Sequence, residues 1–157
     1  MSVQIPPQAI ADARAGAARA GYPELAPVLL ALAGPESTWR ADAAKVDAIE
    51  CSYGYLQMNR CGGLGNGHDV AELLDGPSNF ALGARVIGDR LAAGASLRDA
   101  LRDWSTRDQA LALLPEIQAA LGAMPPAGGD SSTNTGGGLL AVALLALLTI
   151  ATALVGV

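Results

Sequence analysis

Glu36 stands at the end of the apolar run APVLLALAG, in the stretch GPESTWRADA, with Trp39 three residues on. A helix that only has to stop needs a glycine and a polar cap. A lone carboxylate between apolar neighbours does something else. Kept from water, a carboxyl resists ionisation, its pKa rises, and it can deliver a proton at neutral pH. That is what a general acid must do to protonate a glycosidic oxygen. The bland alternative is a solvated residue at a helix end, and the neighbouring sequence has to decide between them.

CSYGYLQMN, Cys51 to Asn59, supplies groups that suit a saccharide cleft. Faces of Tyr53 and Tyr55 can stack on sugar rings, and Gly54 lets backbone approach closely. Gln57 and Asn59 offer amide donors and acceptors. The alternative is a loop with its tyrosines packed on the domain. Asp42, Asp47 and Glu50 are candidates for a second carboxylate, each read first as a solvated loop charge. Cys51 and Cys61 are the only cysteines and flank the stretch. They are either a disulfide that fixes one cleft wall, worth about 2–3 kcal/mol by loop closure, or two reduced thiols. A bridge fits an oxidising site such as a virion or cell surface. Cys51, Cys61 and His68 lack the paired spacings of a zinc site. GGLGNGH has no lysine after it and no strand before it, so it is loop punctuation rather than a phosphate cradle. No metal and no cofactor are expected, and His68 is expected on a surface loop.

The elements that must position these residues read as mainly α. PPQAIADARAGAARAG is a first helix opened by proline, and Pro23 opens a second apolar helix that runs to about Pro35. Pro35, directly before the acid, should bend it there. Arg40 to Gly67 is short, glycine-rich and irregular, read as loops with a small hairpin. Helices resume at DGPSNFALGARVIGDRLAAG, capped by Asp75 or Ser78. There Ala81, Leu82, Ala84, Val86, Ile87 and Leu91 make an apolar face. SLRDALRDWS is another helix, capped by Ser96, and DQALALLPEIQAAL closes the domain with a break or kink at Pro115.

The 157 residues divide into a folded domain over 1–122, a Gly/Pro/Ser/Thr-rich tether over 123–137, and an uncharged apolar segment over 138–157. As a helix the last spans about 30 Å and reads as a single transmembrane anchor. Met1 to Gly21 lacks the pattern of a secretion signal. A net charge of −5 argues against nucleic acid as partner, which needs clustered Lys and Arg, and suits a neutral polymer better.

Taken together, ESTWRADA, SYGYLQMN and DGPSNFALGARVIGDRL, in this order and spacing, resemble the soluble lytic transglycosylase domain, whose relatives include goose-type lysozymes. The resemblance covers about residues 20 to 110. Its counterparts are Glu36-Ser37, Gly54-Tyr55-Leu56-Gln57, Asp75-Gly76-Pro77-Ser78-Asn79 and, more weakly, Trp104-Ser105. It implies a lysozyme-like α+β fold. It also implies cleavage of peptidoglycan glycan strands between N-acetylmuramic acid and N-acetylglucosamine, with Glu36 as the single acid and base. Ser37, Tyr53, Gly54, Tyr55, Gln57, Asn59, Asn79 and Trp104 would bind substrate. Trp104 stands where the family usually has a tyrosine, so it has no hydroxyl to offer the acid, and Ser105 stands where asparagine is common.

The product is either an anhydro-muramoyl end or, by hydrolysis, a reducing end. Together with a lipid anchor, such an activity fits a bacteriophage virion that contains a membrane, with capsid or other virion proteins as neighbours. The alternatives are a wall-remodelling enzyme in a bacterial membrane and a non-catalytic glycan-binding or structural virion protein.

Overall fold

The computed structural model describes residues 3–123. Helix α1 spans Pro7–Ala20, starts on a proline in its first turn and ends on Gly21. That glycine takes the left-handed conformation (φ 86°), and its N–H bonds the carbonyls of Ala17 and Ala18. A short 3-10 turn over Pro23–Leu25 leads into α2, Ala26–Ser37. Strands β1 (Ala44–Val46), β2 (Cys51–Tyr53) and β3 (Met58–Asn59) follow. The remaining helices are α3 (Val70–Leu74), α4 (Gly76–Ala92), α5 (Leu97–Ala100) and α6 (Arg107–Ala123). The architecture is mainly helical, with one small sheet.

The core forms around α2, whose Leu29, Leu30, Leu32 and Ala33 are fully buried. A helix apolar all round has to be enclosed on every side, and here α1, α4 and α6 pack against it. Small residues on α1 allow its close pairing with α4. A Cβ on Gly16 would fall 2.6 Å from the Cβ of Phe80, so only glycine lets the two backbones meet there.

The segment read as loops with a hairpin is a three-stranded antiparallel sheet in the order β1-β2-β3. Lys45 pairs with Ser52, and Ser52 in turn with Asn59. Asp75 rather than Ser78 caps α4, accepting from the Ser78 N–H at 3.0 Å. Ser96 caps α5 through the Asp99 N–H at 3.1 Å, but that helix ends at Ala100, well short of the expected span.

Neither Pro35 nor Pro115 ends its helix. Helix α2 continues through Pro35 to Ser37, so Glu36 lies in its last turn rather than beyond it. Helix α6 continues through Pro115 to Ala123. Each proline removes one backbone donor, yet burial of Leu114 and Ile117 beside it, and of α2 generally, holds the helices together. Among the described residues no helix is long and apolar enough to cross a membrane. The expected anchor over 138–157 and the tether before it lie outside the described residues.

Candidate active site

The last turn of α2 is shaped by two residues in the left-handed region, Thr38 (φ 54°) and Trp39 (φ 55°). A β-branched residue there is strained by about 1–3 kcal/mol. The turn returns that cost in hydrogen bonds, because Thr38 N–H donates to Gly34 O at 2.9 Å and Trp39 N–H to Ala33 O at 3.1 Å. It also folds the Trp39 indole back on the helix, where Nε1 donates to Leu30 O at 2.9 Å. Ser37 fastens the same turn, its hydroxyl donating to Ala33 O at 3.0 Å and accepting from Arg40 N–H. Ser37 is therefore committed to the helix end, not to a ligand.

Glu36 is half-buried on the wall of a cleft of about 510 Å3. The sheet side of the cleft brings Glu50, Ser52, Gln57 and Asn59, and the segment before α6 brings Trp104 and Ser105. Burial pushes the Glu36 pKa up. A hydrogen bond from the Thr106 hydroxyl to Glu36 Oε1 works against that, the charge of Glu50 adds to it, and Lys45 opposes it. The balance is a carboxyl raised above its ordinary range, which is the property the sequence suggested.

Glu50 has the opposite environment. Ser52 Oγ donates to it at 2.8 Å and Lys45 pairs with it, and together they hold its pKa below the usual carboxylate range. The cleft thus contains two carboxyls pushed apart in pKa, one favouring its proton and one its charge. Asp42 and Asp47 are the exposed loop charges they were expected to be. Asp42 pairs with Arg40 at 3.1 Å, and Asp47 accepts from the N–H groups of Ile49 and Glu50 at 2.9 Å each.

The substrate-binding set read from CSYGYLQMN divides. Gln57 and Asn59 line the cleft. Gln57 is also in a left-handed conformation (φ 47°), and its Nε2 donates to Gly54 O at 2.9 Å and to Ala43 O at 3.2 Å. Asn59 Oδ1 accepts from Cys61 N–H at 2.8 Å. Tyr55, by contrast, is 2% exposed, stacked on Phe80 with ring centroids 4.5 Å apart, and bonded through its hydroxyl to Asp12 at 3.0 Å. It has no free face for a sugar.

Gly54 is needed for the chain's own packing. At φ 78°, a Cβ there would fall 2.2 Å from Leu73 O and 2.4 Å from Asn79 Nδ2. Asn79 is buried, with every polar group of its amide spent on backbone: Leu56 N–H to Oδ1, and Nδ2 to Tyr53 O and Leu73 O. Tyr53 is half-buried and is not among the residues lining the cleft.

Trp104 borders the cleft while only 5% exposed, its Nε1 donating to Leu56 O at 3.1 Å. At that exposure it is not an open platform for a sugar ring. Cys51 and Cys61 form a disulfide with Cα atoms 5.6 Å apart, so neither sulfur is available as a metal ligand. His68 lies on the loop beyond, its Nδ1 2.9 Å from Glu72.

Thr106 and the Arg90–Asp103 ion pair, which also borders the cleft, were not singled out from sequence. No local spacing points to Thr106. It lies 70 residues from Glu36 and reaches it only because α6 packs on α2. Comparison of the chain with known protein families, with curated proteins and with solved structures found no match.

Proposed function

We propose that the protein is a muramidase of lytic transglycosylase type, with Glu36 as its acid and base and a lysozyme-like arrangement of helices around a small sheet. The observation that carries this reading is the Glu36 carboxyl: half-buried, raised in pKa and lining a cleft of about 510 Å3. Glu36 gives its proton to the oxygen that leaves C1 of N-acetylmuramic acid, and the C1–O bond breaks. The acetamido carbonyl oxygen of the same sugar bonds to C1 and carries the developing positive charge. Glu36, now a carboxylate, takes the proton of the incoming hydroxyl as that oxygen bonds to C1 and the acetamido group is released. If the hydroxyl is the sugar's own C6–OH the product is an anhydro ring. If it is water the bond is hydrolysed.

Gln57 and Asn59 on one wall and Trp104 on the other are the residues nearest at hand to orient the glycan. The Cys51–Cys61 bridge suits work outside a reducing cytoplasm. With the apolar segment 138–157 as anchor, the domain would act at a membrane, and a membrane-containing phage virion is the setting we favour. The test is digestion of purified peptidoglycan by the full-length protein and by Glu36→Gln, with mass spectrometry of the products. Anhydro-muramoyl ends made by the parent alone are expected. Reducing ends would make it a hydrolase with the same site, and no release by the folded parent would overturn the catalytic reading in favour of glycan binding.

A further inference from the structure

Among the groups of the cleft, Glu36 Oε1 accepts its hydrogen bond from a residue of a distant element, Thr106, at the start of α6. We propose that Thr106 is the positioning residue of the acid: its hydroxyl pins Oε1 and so leaves Oε2 as the oxygen that carries the proton to the glycan. The proposal rests on the muramidase reading for the word acid, but the contact itself does not.

Three features make Thr106 suited to this. Its backbone is fixed before any ligand arrives. The Thr106 carbonyl accepts from Ala110 N–H at 3.0 Å as α6 begins, and Arg107 N–H returns to Trp104 O at 3.3 Å. Just upstream, Trp104 is tied to Leu56, while Arg90 holds Ala100 O at 2.9 Å and Asp103 at 2.5 Å. The donor therefore hangs from a segment anchored to both the sheet side and α4. Second, Thr106 directly precedes α6, which packs along α2, so donor and acceptor are carried by two elements in contact. Third, the Trp104 indole N–H is committed to Leu56 O, so it does not compete with the Thr106 hydroxyl for the carboxyl.

A carboxyl held at one oxygen has its orientation fixed, and a general acid works only within hydrogen-bond reach of the oxygen it protonates. The bond also bears on when Glu36 ionises, because an O–H donated to a carboxylate favours the charged form. The other charged groups around the acid are Glu50, just before β2, Lys45 from β1, and the Arg90–Asp103 pair, which also lines the cleft. None of them is changed by substitution at 106.

The experiment compares the full-length protein with Thr106→Val and Thr106→Ser in two readouts. One is the pH profile of glycan-strand cleavage. The other is a direct titration of the Glu36 carboxyl by carbon-13 NMR with labelled glutamate, assigned through Glu36→Gln. Thr106→Val should lower the turnover rate about 10- to 100-fold with little change in KM, and should move the Glu36 midpoint and the high-pH limb of the profile upward together. Thr106→Ser should restore both.

A valine variant with the parent's midpoint overturns the proposal whether or not the protein cleaves anything. So does a rate loss that serine does not rescue and that tracks only a lower melting temperature, since this would make Thr106 a structural residue of α6. A moved midpoint in a protein without any glycan cleavage would remove the muramidase reading, and with it the role of positioning an acid.

Discussion

The Oδ1 of Asn79 accepts the backbone N–H of Leu56 at 2.9 Å, while the indole of Trp104 donates to the carbonyl of the same residue at 3.1 Å. The two peptides that flank Leu56 in the sheet turn are thus clamped, one from α4 and the other from the segment before α6. The turn carries Gln57 into the cleft, so the clamp transmits the packing of the helices to the site. Asn79→Ala removes one side of it and strands the N–H of Leu56 and the carbonyls of Tyr53 and Leu73. Each buried orphan costs about 1–3 kcal/mol. Urea unfolding of Asn79→Ala should therefore show a loss of about 3 kcal/mol, and a loss below about 1 kcal/mol would mean that water replaces the amide.

The Cys51–Cys61 bridge spans the part of the chain that supplies Ser52, Gln57 and Asn59 to the cleft. The sheet beneath it is slight, since β2 and β3 share only the Ser52–Asn59 and Tyr53–Met58 pairs. Paired Cys51→Ala and Cys61→Ala substitutions should cost about 2–3 kcal/mol by loop closure. The helical core does not depend on the bridge, so far-ultraviolet circular dichroism should hardly change while glycan cleavage falls sharply. Dithiothreitol should reproduce the effect in the parent and do nothing further to the double variant. Full activity in the reduced parent would show that strand pairing alone holds the wall.

How much of this was legible in the sequence differs between the two walls. Glu36 stands out as a candidate because the signal is local: an acid closing an apolar run is an anomaly in a single stretch of chain. The disulfide was visible as an option because only two cysteines exist. Tyr55 and Asn79 face inward, although the sequence suggests a ligand for them, because residue type cannot tell a polar group aimed at a ligand from one satisfied inside. Tyr55 finds Asp12, 43 residues away, and Asn79 finds Leu56, 23 residues away. Those partners exist only once α1 and α4 have packed. Local rules allow a break at Pro115 and an end near Pro35, and packing carries both helices through.

Glu50 should set the pH range of the acid without replacing it. Its charge raises the Glu36 pKa and that of Lys45 lowers it. Glu50→Gln keeps an acceptor for the Ser52 hydroxyl and removes the charge, so Glu36 should ionise at lower pH and the high-pH limb of cleavage should move down. Lys45→Met should move it up. Both shifts should shrink as salt is added, because the groups are partly exposed and screened. A limb that stays in place in both variants would show that solvent screens the cleft completely, leaving burial alone to set Glu36.

Glu36→Gln carries the last prediction, on stability rather than rate. Burial is the main reason the Glu36 pKa is raised, so the folded protein holds this proton more tightly than the unfolded chain does. The stability that protonated Glu36 contributes is complete below the unfolded value, about 4.3. It is lost as pH rises through the higher folded value. Glutamine cannot ionise and keeps a carbonyl oxygen for the Thr106 hydroxyl. The variant and the parent should therefore run parallel in acid, separate in the variant's favour as pH passes between the two values, and stay a constant distance apart above the folded one. Melting temperatures across that range measure the gap, and the same variant should lose about 100-fold or more of glycan cleavage. A protein made more stable and less active by one change at Glu36 would be holding that carboxyl out of water at a cost to its own fold. A gap that instead moves in the parent's favour as pH rises from acid to neutral would mean that the charged carboxylate is the form the fold prefers, and Glu36 would then be a poor proton donor.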